Sequence, residues 1–137
     1  MSEDVVYMPC AEAEKFAYAT FRAAGVPEKD ARLCAEVLIA ADRRGVSSHG
    51  IGRITGHYLN RVRIGIQKAV TEIEFVRKSG ATCVIDGHHG MGMVIAAAAM
   101  RFAIDRARVI SLICLKIKSS LMLVTKVMLI RYYPVVL

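Results

Sequence analysis

Apolar positions set out the opening of the chain. Phe16, Tyr18, Ala19 and Ala23 fall near helical spacing and Gly25 is a natural C-terminal cap, which predicts a helix over Cys10–Ala24. Val26-Pro27 interrupts it. Pro27 suits the start of a second helix, with Glu28 and Asp30 in its first turn. Ala31, Cys34, Leu38 and Ala41 mark the face that helix buries, and Arg43, Arg44 and Gly45 close it. A third helix is expected from Ser47-Ser48-His49-Gly50, a serine capping its free N–H groups. Ile54, Tyr58 and Val62 give it an apolar side, and Gly65 ends it.

The pattern then changes period. Thr71–Arg77 and Ala81–Ile85 read as short strands joined by Ser79-Gly80, with Asp86-Gly87 closing the second. Met93–Arg106 is alanine-rich and apolar, a buried helix by this pattern. Val109–Leu115 would be a third strand. From Lys116 onward apolar residues and lysines continue without clear periodicity or caps. The expected class is α/β: N-terminal helices followed by the start of a mixed sheet.

Composition narrows the function classes. At 137 residues, 55% hydrophobic and 23% charged, the chain is one globular domain by length. Its net charge of +7 invites a nucleic-acid reading. However, Val109–Leu137 supplies +4 through Lys116, Lys118, Lys126 and Arg131, and the remaining +3 is spread over mixed acids and bases. No run alternates bases with exposed aromatics, which argues against nucleic acid as a partner. Cys10, Cys34, Cys83 and Cys114 form no CxxC pair, so no metal site is expected, and buried, reduced thiols are the simpler reading. The acidic start, Glu3 and Asp4, has no apolar signal core, and a cytoplasmic location is expected. Val109–Ile130 is cut by lysines, each costing about 2.5–3.5 kcal/mol at a bilayer centre, so no membrane span is expected.

Two segments could carry chemistry. In Ser48-His49-Gly50-Ile51-Gly52-Arg53, a helix starting at the serines would put His49, Arg53 and His57 on one face. Arginine can grip a carboxylate with two parallel hydrogen bonds. Histidine can give a proton to a carbonyl oxygen as hydride reaches the carbon, or take the hydroxyl proton in reverse. The plainer reading is a capped helix with a solvated polar face. The second segment, Asp86-Gly87-His88-His89-Gly90-Met91-Gly92, leads into a helix whose free N–H groups favour an anion. It lacks the G-x-G-x-x-G dinucleotide fingerprint, and a tight strand-to-helix turn accounts for it. Arg43-Arg44 reads as a charge complement to a helix C-terminus, the seven methionines as core filler, and Cys83 as an inert strand residue.

Four colinear stretches resemble the malate/L-lactate dehydrogenase-like oxidoreductases, which bind NAD(P) without the common Rossmann arrangement. They are Ala24-Gly25-Val26 with Ala31; Ala41-Asp42-Arg43-Arg44-Gly45-Val46-Ser47-Ser48-His49-Gly50 with Arg53 and Tyr58; Ala81-Thr82-Cys83-Val84-Ile85-Asp86-Gly87 with Gly90 and Gly92; and Ala99-Met100 with Ala103-Ile104 and Ala107. The second is the specific one. The resemblance implies His49 as acid/base, Arg53 as the substrate-carboxylate arginine and Ser48 as a polar contact in the same pocket. It also implies NAD or NADP as cofactor, with cofactor-binding residues unassigned, a malate- or lactate-like 2-hydroxy/2-oxo acid as substrate, and a homodimer.

Departures accompany it. Family chains are more than twice as long, and an Asn-Ser-x-His-aromatic-Gly segment has no counterpart at Ile117-Lys118-Ser119-Ser120-Leu121-Met122. The expected division is therefore 1–108, an N-terminal portion of the family domain, truncated relative to the family fold, and 109–137, a divergent apolar basic tail. The alternative function is a non-catalytic fragment that associates with a full-length family member.

Overall fold

The structure, a computed structural model, describes residues 7–80, 82–107 and 114–118. Most of the expected tail, and residues 109–113 of the expected third strand, lie outside the described residues. The chain divides into two compact units, Met1–Ala69 and Val70–Leu137.

The first unit is built on a helix hairpin, α1 (Cys10–Ala23) against α2 (Glu28–Arg43). Proline precedes each helix, and each carries acid in its first turn and arginine in its last, matching the helix dipole. The buried stripe of α1 is Ala13, Ala17 and Phe21, spaced four apart. This corrects the sequence expectation: Phe16 is 55% exposed, Ala19 and Ala23 are exposed, and Tyr18 is half-buried. Alanines occur on every side of α1, so their spacing cannot choose a face. Packing against α2 chooses it. On α2, Ala31, Cys34, Ala35, Leu38 and Ile39 are buried, while the expected Ala41 is only half-buried. Burying Phe21 and Leu38 fully is worth about 1.5–3 kcal/mol each.

Both helices stop by the same local device. After α1, Val26 N–H donates to Phe21 O at 3.1 Å and Gly25 N–H to Arg22 O at 3.0 Å. Gly25 takes φ +85, a left-handed value that suits glycine. Val26 is buried, as is Phe21 five residues before it. After α2, Val46 N–H donates to Ala41 O and Gly45 N–H to Asp42 O, with Gly45 at φ +73. Arg44 also reaches the Ala40 carbonyl, which fits its expected C-terminal role.

Beyond Gly45 the expected single helix is in pieces. Ser47–His49 is one 3-10 turn, and no side chain caps it. Gly50 is extended, and winding resumes with a π-helical stretch, Ile54–Leu59, which continues into α3 (Asn60–Arg63). Gly50, Gly52 and Gly56 are poor helix residues, which explains both the interruption and the loose winding. Ile54 is buried as expected, and Tyr58 packs edge-on against Phe21 with ring centroids 5.8 Å apart.

The second unit contains a three-stranded mixed sheet of order β1-β2-β3. β1 (Glu74–Ser79) runs antiparallel to β2 (Thr82–Asp86), and β2 runs parallel to β3 (Cys114–Lys118). α4 (Gly92–Ala107) lies between β2 and β3 in the chain. Its Ile95, Ala99 and Ala103 pack on Cys83 and Ile85, flanked by Ile73 and Phe102. α4 is one-sided rather than wholly buried, since Met100 and Ile104 are exposed. The described part of the third strand overlaps the expected Val109–Leu115 at Cys114 and Leu115 and runs on through Lys118. Its position follows pairing with β2, Thr82 opposite Cys114 through Asp86 opposite Lys118. Main-chain pairing carries the strand through Lys116 and Lys118, where side-chain periodicity gave no strand signal. Among the described residues, no helix is long and apolar enough to cross a membrane.

Candidate active site

Ser48, His49 and Arg53 come together, though not by sharing a helix face. The Ser48 hydroxyl lies 3.0 Å from His49 Nδ1. Arg53 Nε donates to the Ser48 carbonyl oxygen. One serine thus touches the imidazole through its side chain and the guanidinium through its main chain. His49 and Ser48 are exposed and Arg53 half-buried, so substrate-sized molecules can reach them. His57, the third member of the expected stripe, bonds to neither. Its Nε2 lies 3.3 Å from Arg61 Nη1. Burial pushes its pKa below the usual histidine value, and Arg61 and Arg53 push it further.

Asp42 holds this turn against the end of α2, and sequence reasoning gave it no role. Its Oδ2 accepts the Ile51 N–H at 2.7 Å. Its carboxylate also occupies the space that a Cβ on Gly50 would need. Any side chain at position 50 would therefore displace the Asp42 carboxylate, which gives the glycine of Ser-His-Gly a physical reason. A signal was present: an acid in the last turn of a helix opposes the dipole. Such a placement calls for a compensating partner, here the Ile51 amide. Arg61 was missed as well, because four-residue spacing was followed only as far as His57.

The thiols divide by environment. Cys34 is buried and its pKa is pushed up to about 12, mainly by desolvation and secondly by Asp30. Burial raises Cys83 likewise. Cys10 is exposed, contrary to the expectation that the thiols are buried.

In the second unit, Gly87-His88-His89-Gly90 forms a tight turn closed by Gly90 N–H to Gly87 O at 2.7 Å. Both histidines have positive φ, +44 and +63, as a type I′ turn demands. His88 N–H donates to Asp86 Oδ1 at 2.9 Å, and its Nε2 lies 3.0 Å from Glu74 Oε2. Met91 N–H donates to Thr71 Oγ1 at 2.9 Å. A Cβ on Gly87 would collide with Ile95, and one on Gly90 would lie 2.9 Å from Thr71 Cα. The glycines thus admit the protein's own atoms, and the His88, Gly90 and Met91 amides already have protein acceptors. This turn does not fit a cofactor pyrophosphate.

Comparison with known proteins gives a family and several relatives. The profile of the family described as malate/L-lactate dehydrogenase matches residues 8–133. The chain is 43% identical over 84 residues to L-sulfolactate dehydrogenase of Methanocaldococcus jannaschii, covering 61% of this chain and 24% of that protein. It is 33% identical over 108 residues to malate dehydrogenase of Pyrococcus abyssi, covering 79% and 30%. It is 36% identical over 110 residues to the (2R)-3-sulfolactate dehydrogenase (NADP(+)) of Chromohalobacter salexigens, covering 80% and 32%. Among solved structures, malate dehydrogenase from Pyrococcus horikoshii OT3 superposes with a TM-score of 0.81 at 29% identity, over 87% of this chain and 34% of that one. Sulfolactate dehydrogenase from Methanocaldococcus jannaschii superposes with a TM-score of 0.80 at 32% identity, over 84% and 33%. The chain spans about a quarter to a third of the length of these relatives. With the profile match covering most of its length, the chain belongs to the malate/L-lactate dehydrogenase family.

Proposed function

We propose that this chain supplies the proton-transfer and carboxylate-binding part of an NAD(P)-dependent oxidoreductase of malate- or lactate-like 2-hydroxy acids. The observation that carries the reading is the bridge through Ser48, which ties His49 and Arg53 into one cluster. With Nε engaged by the Ser48 carbonyl, Arg53 keeps its two terminal nitrogens for a carboxylate, the planar fork that lysine lacks. With Nδ1 held by the Ser48 hydroxyl, His49 presents Nε2 outward. Toward reduction, Nε2–H gives its proton to the ketone oxygen of the 2-oxo acid. Toward oxidation, Nε2 takes the hydroxyl proton. A hydroxyl both donates and accepts, so Ser48 can hold Nδ1 in either state of the ring.

The relatives' names support the substrate class, and one name specifies NADP. The nicotinamide cofactor, when bound, would give or take the hydride at carbon 2, and no described residue is assigned to it. A homodimer in the cytoplasm completes the proposal. The test is kinetic, on the active assembly that contains this chain. His49→Ala should lower turnover by roughly 100- to 10,000-fold, the usual range for a lost general acid. Arg53→Lys should raise the Michaelis constant more than it lowers turnover. Both variants should melt near the parent temperature. Unchanged kinetics with lowered melting would reduce Ser48-His49-Gly50 to a structural turn.

A further inference from the structure

We propose that Lys78 and Arg106 form an anion site for a phosphomonoester on the α4 side of the sheet, within the second unit. The site shares no residue with the Ser48-His49-Arg53 cluster.

A bulge in β1 aims Lys78. Side chains alternate along a strand, so residues three apart ordinarily point to opposite faces. Phe75 pairs with Ile85 and Lys78 with Cys83, and the register shifts between Phe75 and Arg77. Ile85 and Cys83 belong to the core beneath α4, so their partners Phe75 and Lys78 both lie on the α4 side. The extra residue is Val76, which is 52% exposed. Glu74, one residue before Phe75, falls on the other face, where it meets His88. The bulge thus sends the acid of β1 away from α4 and the lysine toward it. Bulges re-aim side chains in this way beside functional sites.

Lys78 and Arg106 share an aromatic floor. The Phe75 and Phe102 ring centres are 5.3 Å apart. Lys78 Nζ lies 4.1 Å from the centre of Phe75 and 5.6 Å from that of Phe102. Arg106 Cζ lies 5.4 Å from the centre of Phe102. Arg106 follows Ile95, Ala99 and Phe102 at helical spacing, which carries it to the same side of α4. Both charges bear on Cys83, against the burial that raises its pKa. Both residues are exposed, and among the described residues neither has a carboxylate partner.

The pair of cations fits a doubly charged group. A ring face attracts a cation without neutralising it, so both charges remain for an anion. Arginine offers a planar fork and lysine a point charge. Together they match a group with three terminal oxygens. A phosphomonoester has those oxygens and carries about −1.5 to −2 at neutral pH. A carboxylate has one charge and two oxygens, which the arginine fork alone would take up.

The test is calorimetric titration of the full chain with methyl phosphate and with acetate, at neutral pH and one ionic strength. Methyl phosphate should bind roughly 10- to 100-fold tighter than acetate, the range of one charge-assisted hydrogen bond. Lys78→Gln and Arg106→Gln should each weaken methyl phosphate roughly 10-fold, and Lys78→Arg should keep most of the affinity. Lys78→Gln, on an exposed strand, serves if Arg106→Gln fails to fold. Arg101 is exposed on the same helix but lies over neither ring, so Arg101→Gln should bind near the parent level. Phosphatidic acid vesicles separate two sources of the group. Pelleting that Lys78→Gln abolishes places the phosphate on a lipid, and methyl phosphate binding without pelleting places it on a soluble molecule. Equal binding of methyl phosphate and acetate, or equal loss in Arg101→Gln and Arg106→Gln, would mean diffuse attraction by a basic surface and overturn the site. Absence of methyl phosphate binding overturns it as well.

Discussion

Gly50→Ala should release the Ser48-His49 turn without disturbing backbone preference. Gly50 sits at φ −91 and ψ −157, extended values that alanine adopts readily. The whole effect is therefore steric: the new methyl needs the space of the Asp42 carboxylate. Asp42 must swing away, which breaks the 2.7 Å bond from Ile51 N–H. A hydrogen bond to a charged group contributes about 1.5–3 kcal/mol. Asp42 is only half-buried and can find water once displaced, so the lower part of that range applies. The local opening equilibrium should rise roughly 10-fold. Hydrogen exchange at the Ile51 amide reads this directly. Asp42→Ala should show the same loss, and the Asp42→Ala/Gly50→Ala pair no more than Asp42→Ala alone, because both break one bond. If Gly50→Ala leaves Ile51 protection at the parent level, Asp42 does not hold the turn. The account of glycine in Ser48-His49-Gly50 then fails.

Three further outcomes can be measured on the same chain. At pH 8 an exposed-thiol reagent should label Cys10 and spare Cys34 and Cys83; with Cys34 raised to about 12, its thiolate is scarce, and fast labelling of it in the folded state would contradict its burial. His89→Gly should stabilise the second unit by roughly 0.5–1 kcal/mol, because His89 is exposed at φ +63 and glycine removes the left-handed strain; a lower urea midpoint would show that the imidazole makes a stabilising contact. Arg61→Gln in the free chain should raise the His57 midpoint toward the ordinary value of about 6.5 by removing one of the charges that depress it. The sign for stability follows. A depressed histidine stays neutral in the folded state while the unfolded chain takes up a proton, so the parent loses stability as pH falls through about 6.5. Arg61→Gln should flatten that loss, seen as melting temperature against pH.

The sequence by itself determined the features that depend on neighbours along the chain. Pro9 and Pro27 before the helices, and Gly25 and Gly45 after them, act through local φ preference and hydrogen bonds that reach back at most five residues. The Ser79-Gly80 turn and the change from helical to strand periodicity are local in the same sense, and together they gave the fold class. The family motif also placed Ser48, His49 and Arg53 on one segment. Tertiary structure alone decided what depends on distant partners. α2 chose Ala13, Ala17 and Phe21 over Phe16 as the buried face of α1, because alanine periodicity is the same on several sides. Asp42, which accepts the Ile51 N–H nine residues further on, ties the Ser-His-Gly turn to the end of α2. Pairing with β2 carries β3 through Lys116 and Lys118, where side-chain periodicity gave no strand signal. Close packing of Gly87 on Ile95 and Gly90 on Thr71 turned an apparent anion cradle into a filled turn, since side-chain volume from elsewhere in the fold is invisible to local spacing.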